Sequence, residues 1–501
     1  MGQLKAYDYV IVGGGTSGAV LAARLAEDPF VSVCILEAGI TDENDLRILN
    51  LKNWPNLLET ELDFKYEIEN QTRGNGRIRH SRGKMLGGCS SHNSAIAFRA
   101  PAVDMKIWEE QGATGWGPEG TAPYFNRVFD KVQLETVEPL NECGVAFIDA
   151  AKQAGFPEVK FNSKEFKEGV GWFQLNKKGE LRQSSSVAYL HPLFKSRASN
   201  LEVMTETFVS RILLNSNYVA IGVETSRGNI MAKREIIVCA GAFNSPKLLL
   251  HSGIGPADHL REMSIPIQVD LPGVGENLLD HPEGIVIWEA SRLVPEVSTQ
   301  FWEAGLFVRT QPHLEWPDLM FHFGTVPFDM HTLAYGCPTA LAGFSMTPNV
   351  ARAKSQGTVR LRSSDPLESP RIDPAYFTDP EGHDERVMIA GIHWARKIAA
   401  QPALRSWIKQ ELAPGLSVQT DAELSEYARK TANTVYHPAG TCKMGSLLDS
   451  KTVVDSKLRV RGVQGLRVAD ASIFPTMIGV NPCLTCMMIG EKAADIIKQR
   501  D

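Results

Sequence analysis

The feature that most constrains this chain is a glycine-rich turn between two apolar stretches near its start. Residues 7–12 are apolar enough for a buried strand, residues 13–18 form the turn, and residues 19–25 are apolar again. A further apolar run at 31–36 ends at Glu37. This order predicts a strand, a tight turn, a helix and a second strand, as at the start of a βαβ unit.

The turn has the spacing G-x-G-x-x-G, formed by Gly13, Gly15 and Gly18. In such a turn the first glycine allows the tight bend, the second lets a pyrophosphate approach the backbone, and the third lets helix and strand pack closely. The free N–H groups at the helix start then face the phosphates, and Glu37 is placed to accept hydrogen bonds from ribose hydroxyls. The turn therefore predicts a dinucleotide site, which fits NAD and FAD equally well.

The composition narrows the class of protein. The chain has 501 residues, a formal net charge of −6 and eight scattered cysteines. Two or three domains are expected, and the charge gives no reason to expect nucleic acid or an anionic membrane surface as a partner. No apolar run is long enough for a transmembrane helix. The cysteines favour reduced thiols in a cytoplasmic enzyme, and Cys483-x-x-Cys486 lacks the second pair of a metal site, so no metal is expected.

The rest of the chain is expected to leave the nucleotide domain and return to it. Helices are predicted over 102–157, 384–400, 420–431 and 484–499, and strands within 199–240, at 318–323 and at 357–361. The predicted fold class is α/β (α+β overall), with a Rossmann-like domain and a substrate domain built on a mostly antiparallel sheet flanked by helices. Residues 1–154, 194–282 and 435–501 are assigned to the first domain, and residues 155–193 and 283–434 to the second.

Several stretches together resemble the glucose–methanol–choline (GMC) family of flavin oxidoreductases. They are residues 13–18, 83–94, 241–255, 436–445 and 468–481. They span the chain, so a chance match is very improbable. The resemblance implies the GMC fold and FAD rather than NAD. The residues that it implies for FAD binding are Gly13, Gly15, Thr16, Ser17, Gly18, Glu37, Ala38, Gly87, His92, Asn93, Val209, Asp470, Ala471 and Asn481.

Within the family the chain is most similar to members that oxidise choline. The similarity runs through residues 89–94, 182–187, 280–284, 326–330, 377–384 and 433–438. It implies oxidation of choline through betaine aldehyde to glycine betaine, with O2 reduced to hydrogen peroxide, in a protein expected to be a homodimer. It also implies that His92 is joined covalently to the flavin 8α-methyl group. Many members of the family lack a histidine at this position and bind FAD non-covalently, so its presence here is informative.

Alcohol oxidation needs a group that takes up the hydroxyl proton and a polar partner near flavin N5. The resemblance gives these roles to His437 and Asn481, with Ser94 and His322 beside them. A histidine titrates near neutrality, whereas an asparagine orients an oxygen without titrating. His437 fits two roles, a base or a cation that stabilises the alkoxide, and the sequence leaves both open.

A quaternary ammonium cannot donate a hydrogen bond, so its recognition is expected to combine a carboxylate with aromatic faces. The resemblance gives the first role to Glu283 and the second to Trp54, Trp302 and Phe328. It places Val435 near the flavin edge where oxygen reacts.

Two features depart from the pattern of the choline-oxidising members. Ala95 and Arg99 replace the side chains expected beside Ser94, and residues 441–445 fit the broader family equally well. The alternatives are a GMC dehydrogenase or oxidase of another primary alcohol, a GMC-fold lyase with a structural FAD, and a non-catalytic FAD-binding scaffold. The cage around Glu283 argues against the lyase, and the presence of His437 with Asn481 argues against the scaffold.

Overall fold

The computed structural model describes residues 5–163 and 165–499. Residues 1–4, 164, 500 and 501, which fall within the predicted domain segments, lie outside the described residues. The helices are α1 (Thr16–Leu25), α2 (Leu46–Leu49), α3 (Ala102–Glu110), α4 (Pro118–Lys131), α5 (Glu142–Gln153), α6 (His191–Ser196), α7 (Gly241–His251), α8 (Ala257–Glu262), α9 (Thr332–Tyr335), α10 (His383–Ala399), α11 (Pro402–Arg405), α12 (Asp421–Thr431) and α13 (Cys483–Lys498).

Short 3₁₀ turns lie at Leu51–Leu57, Gly88–Ser91 and Ala471–Ile473, and a π-turn at Ser186–Leu190. The strands are β1 (Lys5–Val12), β2 (Val33–Leu36), β3 (Tyr66–Glu67), β4 (Arg79–His80), β5 (Leu134–Thr136), β6 (Gly169–Trp172), β7 (Gln174–Lys178), β8 (Leu181–Arg182), β9 (Leu201–Met204), β10 (Val209–Leu214), β11 (Ala220–Thr225), β12 (Gly228–Val238), β13 (Ile254–Gly255), β14 (Val269–Asp270), β15 (Pro282–Glu283), β16 (Val286–Ala290), β17 (Trp302–Val308), β18 (Leu319–Gly324), β19 (Gly343–Val350), β20 (Thr358–Arg360), β21 (Arg371–Asp373), β22 (Ile408–Ala413), β23 (Asn433–Thr434) and β24 (Leu466–Val468).

The first sheet is built around β1, whose apolar run is buried along its second half. Its strand order is β10-β11-β12-β1-β2-β9, and β24 also pairs with β12. The pairs β1–β2, β1–β12, β2–β9 and β12–β24 are parallel. Helix α13 returns from the far end of the chain to pack on α1. Strands covered by helices are apolar on both faces, which explains the uninterrupted hydrophobic run in this part of the sequence.

The second sheet is antiparallel and combines two separate parts of the chain. Its strand order is β22-β16-β19-β18-β17-β6, with β15 beside β19 and β23. Helices α5 and α10 cover the sheet, and α12 packs on α10. Their apolar side chains form a second core, in which Phe147 of α5 stacks on Phe323 of β18 with ring centroids 4.5 Å apart. The α/β class with one antiparallel sheet flanked by helices is therefore confirmed, whereas the exact segment boundaries stay a prediction.

Most predicted elements lie within a residue or two of the observed ones. The bounds of helices α10 and α12 differ by about one residue from those predicted at 384–400 and 420–431. The helical prediction over 102–157 is wrong in its middle, where the strand β5 lies between α4 and α5. That strand pairs with β7, which lies about forty residues further along the chain, so local periodicity could not reveal it.

Three further features hold for the residues that the structure describes. No helix within the described ranges is long and apolar enough to cross a membrane. The same residues contain no group of three or more histidine, cysteine, aspartate or glutamate side chains placed to hold a metal ion. All eight cysteines are free thiols.

Candidate active site

A long cleft opens at the carboxyl ends of β1 and β2 and extends to the second sheet. Nearly all the residues predicted for a site line it. They are Gly13, Gly15, Thr16, Ser17, Glu37, Ala38, His92, Asn93, Val209, Asp470, Ala471 and Asn481 from the predicted cofactor set, and Ser94, His322, His437, Glu283, Trp54, Trp302, Phe328 and Val435 from the catalytic and substrate sets. Residues remote in sequence thus converge on one continuous space.

Two predicted residues, Gly18 and Gly87, do not line the cleft but shape its walls. A Cβ on Gly18 would collide with the carbonyl oxygen of Gly13, so this glycine allows the helix to approach the turn, as its place in the motif predicts. Gly87 has φ of +79°, a conformation that favours glycine, and a Cβ there would collide with Ser91.

Two buried acids hold backbone segments that line the cleft. Glu37 accepts hydrogen bonds from the backbone N–H groups of Gly14, at 3.0 Å, and Gly39, at 2.8 Å. Burial raises the pKa of Glu37 to about 7. Asp470 accepts a hydrogen bond from the Gly241 N–H at 2.8 Å, which fixes the start of α7 beside the cleft. Both acids therefore brace the backbone against which a dinucleotide lies.

The residues of the cleft fit FAD. The glycine turn and Glu37 suit the ADP portion. At the other end of the cleft, Nε2 of His92 and Oδ1 of Asn481 are buried, and neither has a hydrogen-bond partner in the part of the chain that the structure describes. Buried polar atoms of folded proteins are nearly always paired, so two such orphans facing one cleft indicate a ligand with polar and reactive atoms.

His92 is held as a buried, neutral ring. It follows the 3₁₀ turn Gly88–Ser91 and is 5% exposed. Burial lowers its pKa to about 4, so the ring carries no charge at neutral pH. Its Nε2 has no hydrogen-bond partner among the described residues and is therefore free to meet a ligand in the cleft.

Hydrogen bonds through a neighbouring histidine fix the tautomer of His437. Nε2 of His281 lies 3.0 Å from the Ala351 carbonyl oxygen and 2.9 Å from that of Ile478, so it must donate. Burial lowers the pKa of His281, so its ring is neutral and its Nδ1 accepts. That Nδ1 lies 2.9 Å from Nδ1 of His437, which therefore donates. Desolvation lowers the pKa of His437 well below its usual range, which leaves a lone pair on its Nε2.

A second buried acid fixes the backbone of His437. Oδ1 of Asp280 accepts a hydrogen bond from the His437 N–H at 2.9 Å, and its other oxygen accepts from Thr434 at 2.6 Å. His80 lies 3.0 Å from the same oxygen, and Tyr376 donates to it. Burial alone would raise the pKa of Asp280, but these partners hold it below its usual range. The sequence prediction missed Asp280, His281 and His80, because they act through a neighbour; the run Asp280–Glu283 was the available signal.

Asn481 and His322 form the adjoining wall. Both side chains line the cleft, and burial lowers the pKa of His322 to about 3. The neutral His322 ring lies 3.3 Å from the Asn349 side-chain nitrogen and 3.8 Å from Oε1 of Glu283. His322 therefore links the proposed reaction end of the cleft to the carboxyl group beyond it.

Glu283 lines the same cleft as Trp54, Trp302 and Phe328. It is 5% exposed, and burial raises the pKa of its carboxyl to about 8. The carboxyl accepts a long hydrogen bond of 3.5 Å from the Asn433 side chain and lies 3.8 Å from the neutral His322, and no cationic side chain of the described residues pairs with it. Trp302 meets Phe328 edge to face at 5.5 Å, and Nε1 of Trp54 donates to the Gln300 carbonyl at 3.0 Å. A buried carboxyl without a cationic partner and three aromatic side chains on one cleft have the composition of a cation cage.

Comparison with known proteins agrees with this geometry. Models described as GMC oxidoreductase match residues 7–283 and 353–490. The chain is 48% identical to choline oxidase of Arthrobacter globiformis, covering 99% of this chain and 94% of the relative. It is 35% identical to the mitochondrial choline dehydrogenase of Homo sapiens, covering 98% and 90%. Its fold matches the crystal structure of pyridoxine 4-oxidase from Mesorbium loti with a TM-score of 0.92 at 29% identity, covering 99% and 100% of the two chains.

Proposed function

The chain belongs to the GMC oxidoreductase family of FAD-dependent enzymes, and on this premise we propose that it is a choline oxidase. It oxidises choline to betaine aldehyde and then to glycine betaine, and it reduces O2 to hydrogen peroxide at each step. The 48% identity to a choline oxidase supports the substrate and the acceptor. The expected homodimer and cytoplasmic location are part of the proposal, and sedimentation and cell fractionation test them.

One observation carries the substrate assignment: the buried Glu283 carboxyl shares its cleft with three aromatic side chains and has no cationic partner within the described ranges. A buried carboxylate is costly unless it is paired. A quaternary ammonium supplies the missing charge and packs its methyl groups on the aromatic faces. A neutral alcohol, or the neutral cyanohydrin of a lyase, would leave that carboxyl unpaired.

When bound, FAD accepts a hydride at N5 and passes two electrons to oxygen. The protein's own residues prepare the alcohol for that transfer. Nε2 of His437 takes up the hydroxyl proton, because its lone pair faces the cleft while His281 holds the proton on Nδ1. The ring then becomes a cation and stabilises the alkoxide, so the two roles left open by the sequence follow one another. The amide of Asn481 orients the substrate oxygen, with Ser94 beside it.

The covalent link between His92 and FAD belongs to the same proposal. Formation of the bond needs an unprotonated nitrogen that faces the flavin methyl group. The neutral ring and the buried Nε2 without a partner among the described residues support this assignment. Acid precipitation of purified protein is expected to leave the yellow chromophore in the pellet. Release of all the chromophore into the supernatant would contradict the link.

Oxygen consumption with choline tests the activity. Two molecules of O2 are expected per choline, because both oxidation steps use oxygen.

We expect E283Q to lose choline affinity by about 10- to 100-fold, since the cation loses its partner. The matched control is E303Q: Glu303 is also buried, but it is satisfied by Thr299 and does not line the cleft. Reduction of a dye acceptor without oxygen consumption would instead favour a choline dehydrogenase, the activity named for the 35% identical relative from Homo sapiens.

A further inference from the structure

Arg182 is a fully buried cation that the mechanism does not use. Its side chain has no exposed surface, and burial lowers its pKa to about 10. No carboxylate of the described residues lies within ion-pair distance of it. A buried charge without a counter-ion is costly unless hydrogen bonds satisfy it, so its contacts indicate what it does.

The Arg182 guanidinium donates to backbone on both sides of His92. One terminal nitrogen lies 2.8 Å from the Asn93 carbonyl oxygen and 3.2 Å from that of Ser90. The same nitrogen lies 3.3 Å from the Asn93 side-chain oxygen. The loop that carries His92 is thus closed around one rigid planar group.

The remaining contact of Arg182 reaches a second segment. Its Nε donates to the Ile48 carbonyl at 2.7 Å. Ile48 lies in α2, which leads directly into the turn Leu51–Leu57. Trp54 of that turn lines the same cleft as His92. One guanidinium therefore joins the loop that bears the ring to a second segment that lines the cleft.

We propose that Arg182 is a positioning residue for covalent attachment of the flavin, holding the His92 loop and residues 48–57 so that Nε2 faces the 8α-methyl group. This inference rests on the proposed covalent link. Attachment forms a bond between Nε2 and the 8α carbon and breaks one C–H bond of the methyl group. The two electrons of that bond pass to O2, and the methyl proton and the N–H proton of the neutral ring complete hydrogen peroxide.

The test compares R182K with wild type and with R461K. A lysine keeps the charge, but its ammonium cannot span the Ile48 carbonyl and the two loop carbonyls together. Arg461 offers a matched control, because it also donates to backbone carbonyls, those of Asp449 and Thr452, and lies outside the cleft. Each protein is precipitated with acid, and flavin is measured in pellet and supernatant, together with total flavin per chain and the melting temperature.

We expect R182K to keep its total flavin while the covalent fraction falls at least fivefold, and R461K to match wild type. A covalent fraction in R182K equal to that of wild type overturns the proposal. So does failure of both R182K and R182Q to yield folded protein with FAD, because Arg182 would then be a general requirement for folding. Wild type that itself releases its flavin refutes the covalent link of the proposed function, a result distinct from either.

Discussion

Glu283 is the residue whose charge state the substrate is expected to change. Burial raises the pKa of its carboxyl to about 8, so the free carboxyl is mostly protonated at neutral pH. A quaternary ammonium favours the carboxylate, and its binding then releases a proton. We predict that the affinity for tetramethylammonium, a cation that cannot react, rises about tenfold per pH unit up to about pH 8 and then levels off.

Calorimetry in buffers of different ionisation enthalpy measures the released proton directly. In wild type the number released approaches one well below the pKa and falls to zero above it. E283Q lacks the carboxyl proton, so the number of protons released on binding should stay near zero at every pH. A flat wild-type profile over the same pH range would show that Glu283 is already ionised in the free protein, and that the cage is preformed for the cation.

His281 is expected to control the rate without affecting substrate binding. Its neutral ring accepts the Nδ1 proton of His437 and so keeps Nε2 of that ring free. We predict that H281L lowers kcat by about 10²-fold, within the range of a lost general base. H281Q keeps an amide donor for the two carbonyls and an oxygen acceptor for Nδ1, so its loss should stay below about tenfold. Stopped-flow reduction of the flavin measures the step; equal losses in the two variants would contradict the tautomer assignment.

The residues that face the ligand were predictable from the sequence, but those that set their proton positions were not. Glu283, His437 and Asn481 stand in stretches that resemble the family. The tautomer of His437 depends on the carbonyls of Ala351 and Ile478, which lie in loops remote from it in sequence. No local pattern predicts which backbone carbonyls will meet one imidazole nitrogen.

At the scale of elements, the 3₁₀ turn Leu51–Leu57 carries part of the proposed cage. Trp54 of this turn lines the cleft and is one aromatic wall of that proposed cage. We predict that W54L weakens tetramethylammonium binding by about 5- to 30-fold, the range of a cation–π contact. W54F is the matched control: it keeps an aromatic face and loses only the Nε1 hydrogen bond to Gln300, so binding should weaken by less than about fivefold. Equal effects would show that the hydrogen bond, and not the ring, matters.

Elements with strong periodicity were predicted well, and elements made by long-range pairing were not. Helix α10 has a hydrophobic face that repeats over its whole length, and its predicted bounds differ little from the observed ones. Strand β5 has three residues and exists because β7 pairs with it. The turn Leu51–Leu57 contains Pro55 and lies in a stretch that had no periodic signal. Its bounds were therefore not predicted, although the family resemblance did single out Trp54.

At the scale of the whole molecule, the flavin site joins the two ends of the chain. The first sheet supplies the glycine turn at residues 13–18, and the loop with His92 follows it in sequence. Helix α13 starts beside the cleft and packs on α1, so Asn481 reaches the same space from the other end. The order of the segments was predicted from sequence; the way in which β6 joins the sheet formed by residues 282–434 required the structure.

This arrangement predicts how cofactor attachment affects global stability. A ligand that binds only the folded state stabilises it by an amount that depends on free ligand concentration, provided that the ligand can dissociate. The proposed link through His92 would prevent dissociation in wild type, so added FAD should leave its melting temperature unchanged. In H92N the glycine turn and Glu37 should still bind the ADP portion, and the melting temperature should rise with added FAD by about one to two degrees for each tenfold increase.

Differential scanning fluorimetry over a range of FAD concentrations measures both proteins. H191N, which changes a histidine outside the cleft that pairs with Asp42, controls for loss of a partly buried ring. H191N should behave like wild type, with a melting temperature independent of added FAD even if it is lower. If wild type and H92N respond to FAD alike, the flavin is held by non-covalent contacts in both. His92 would then act only as a wall of the cleft, because a covalent tether cannot allow the cofactor to exchange.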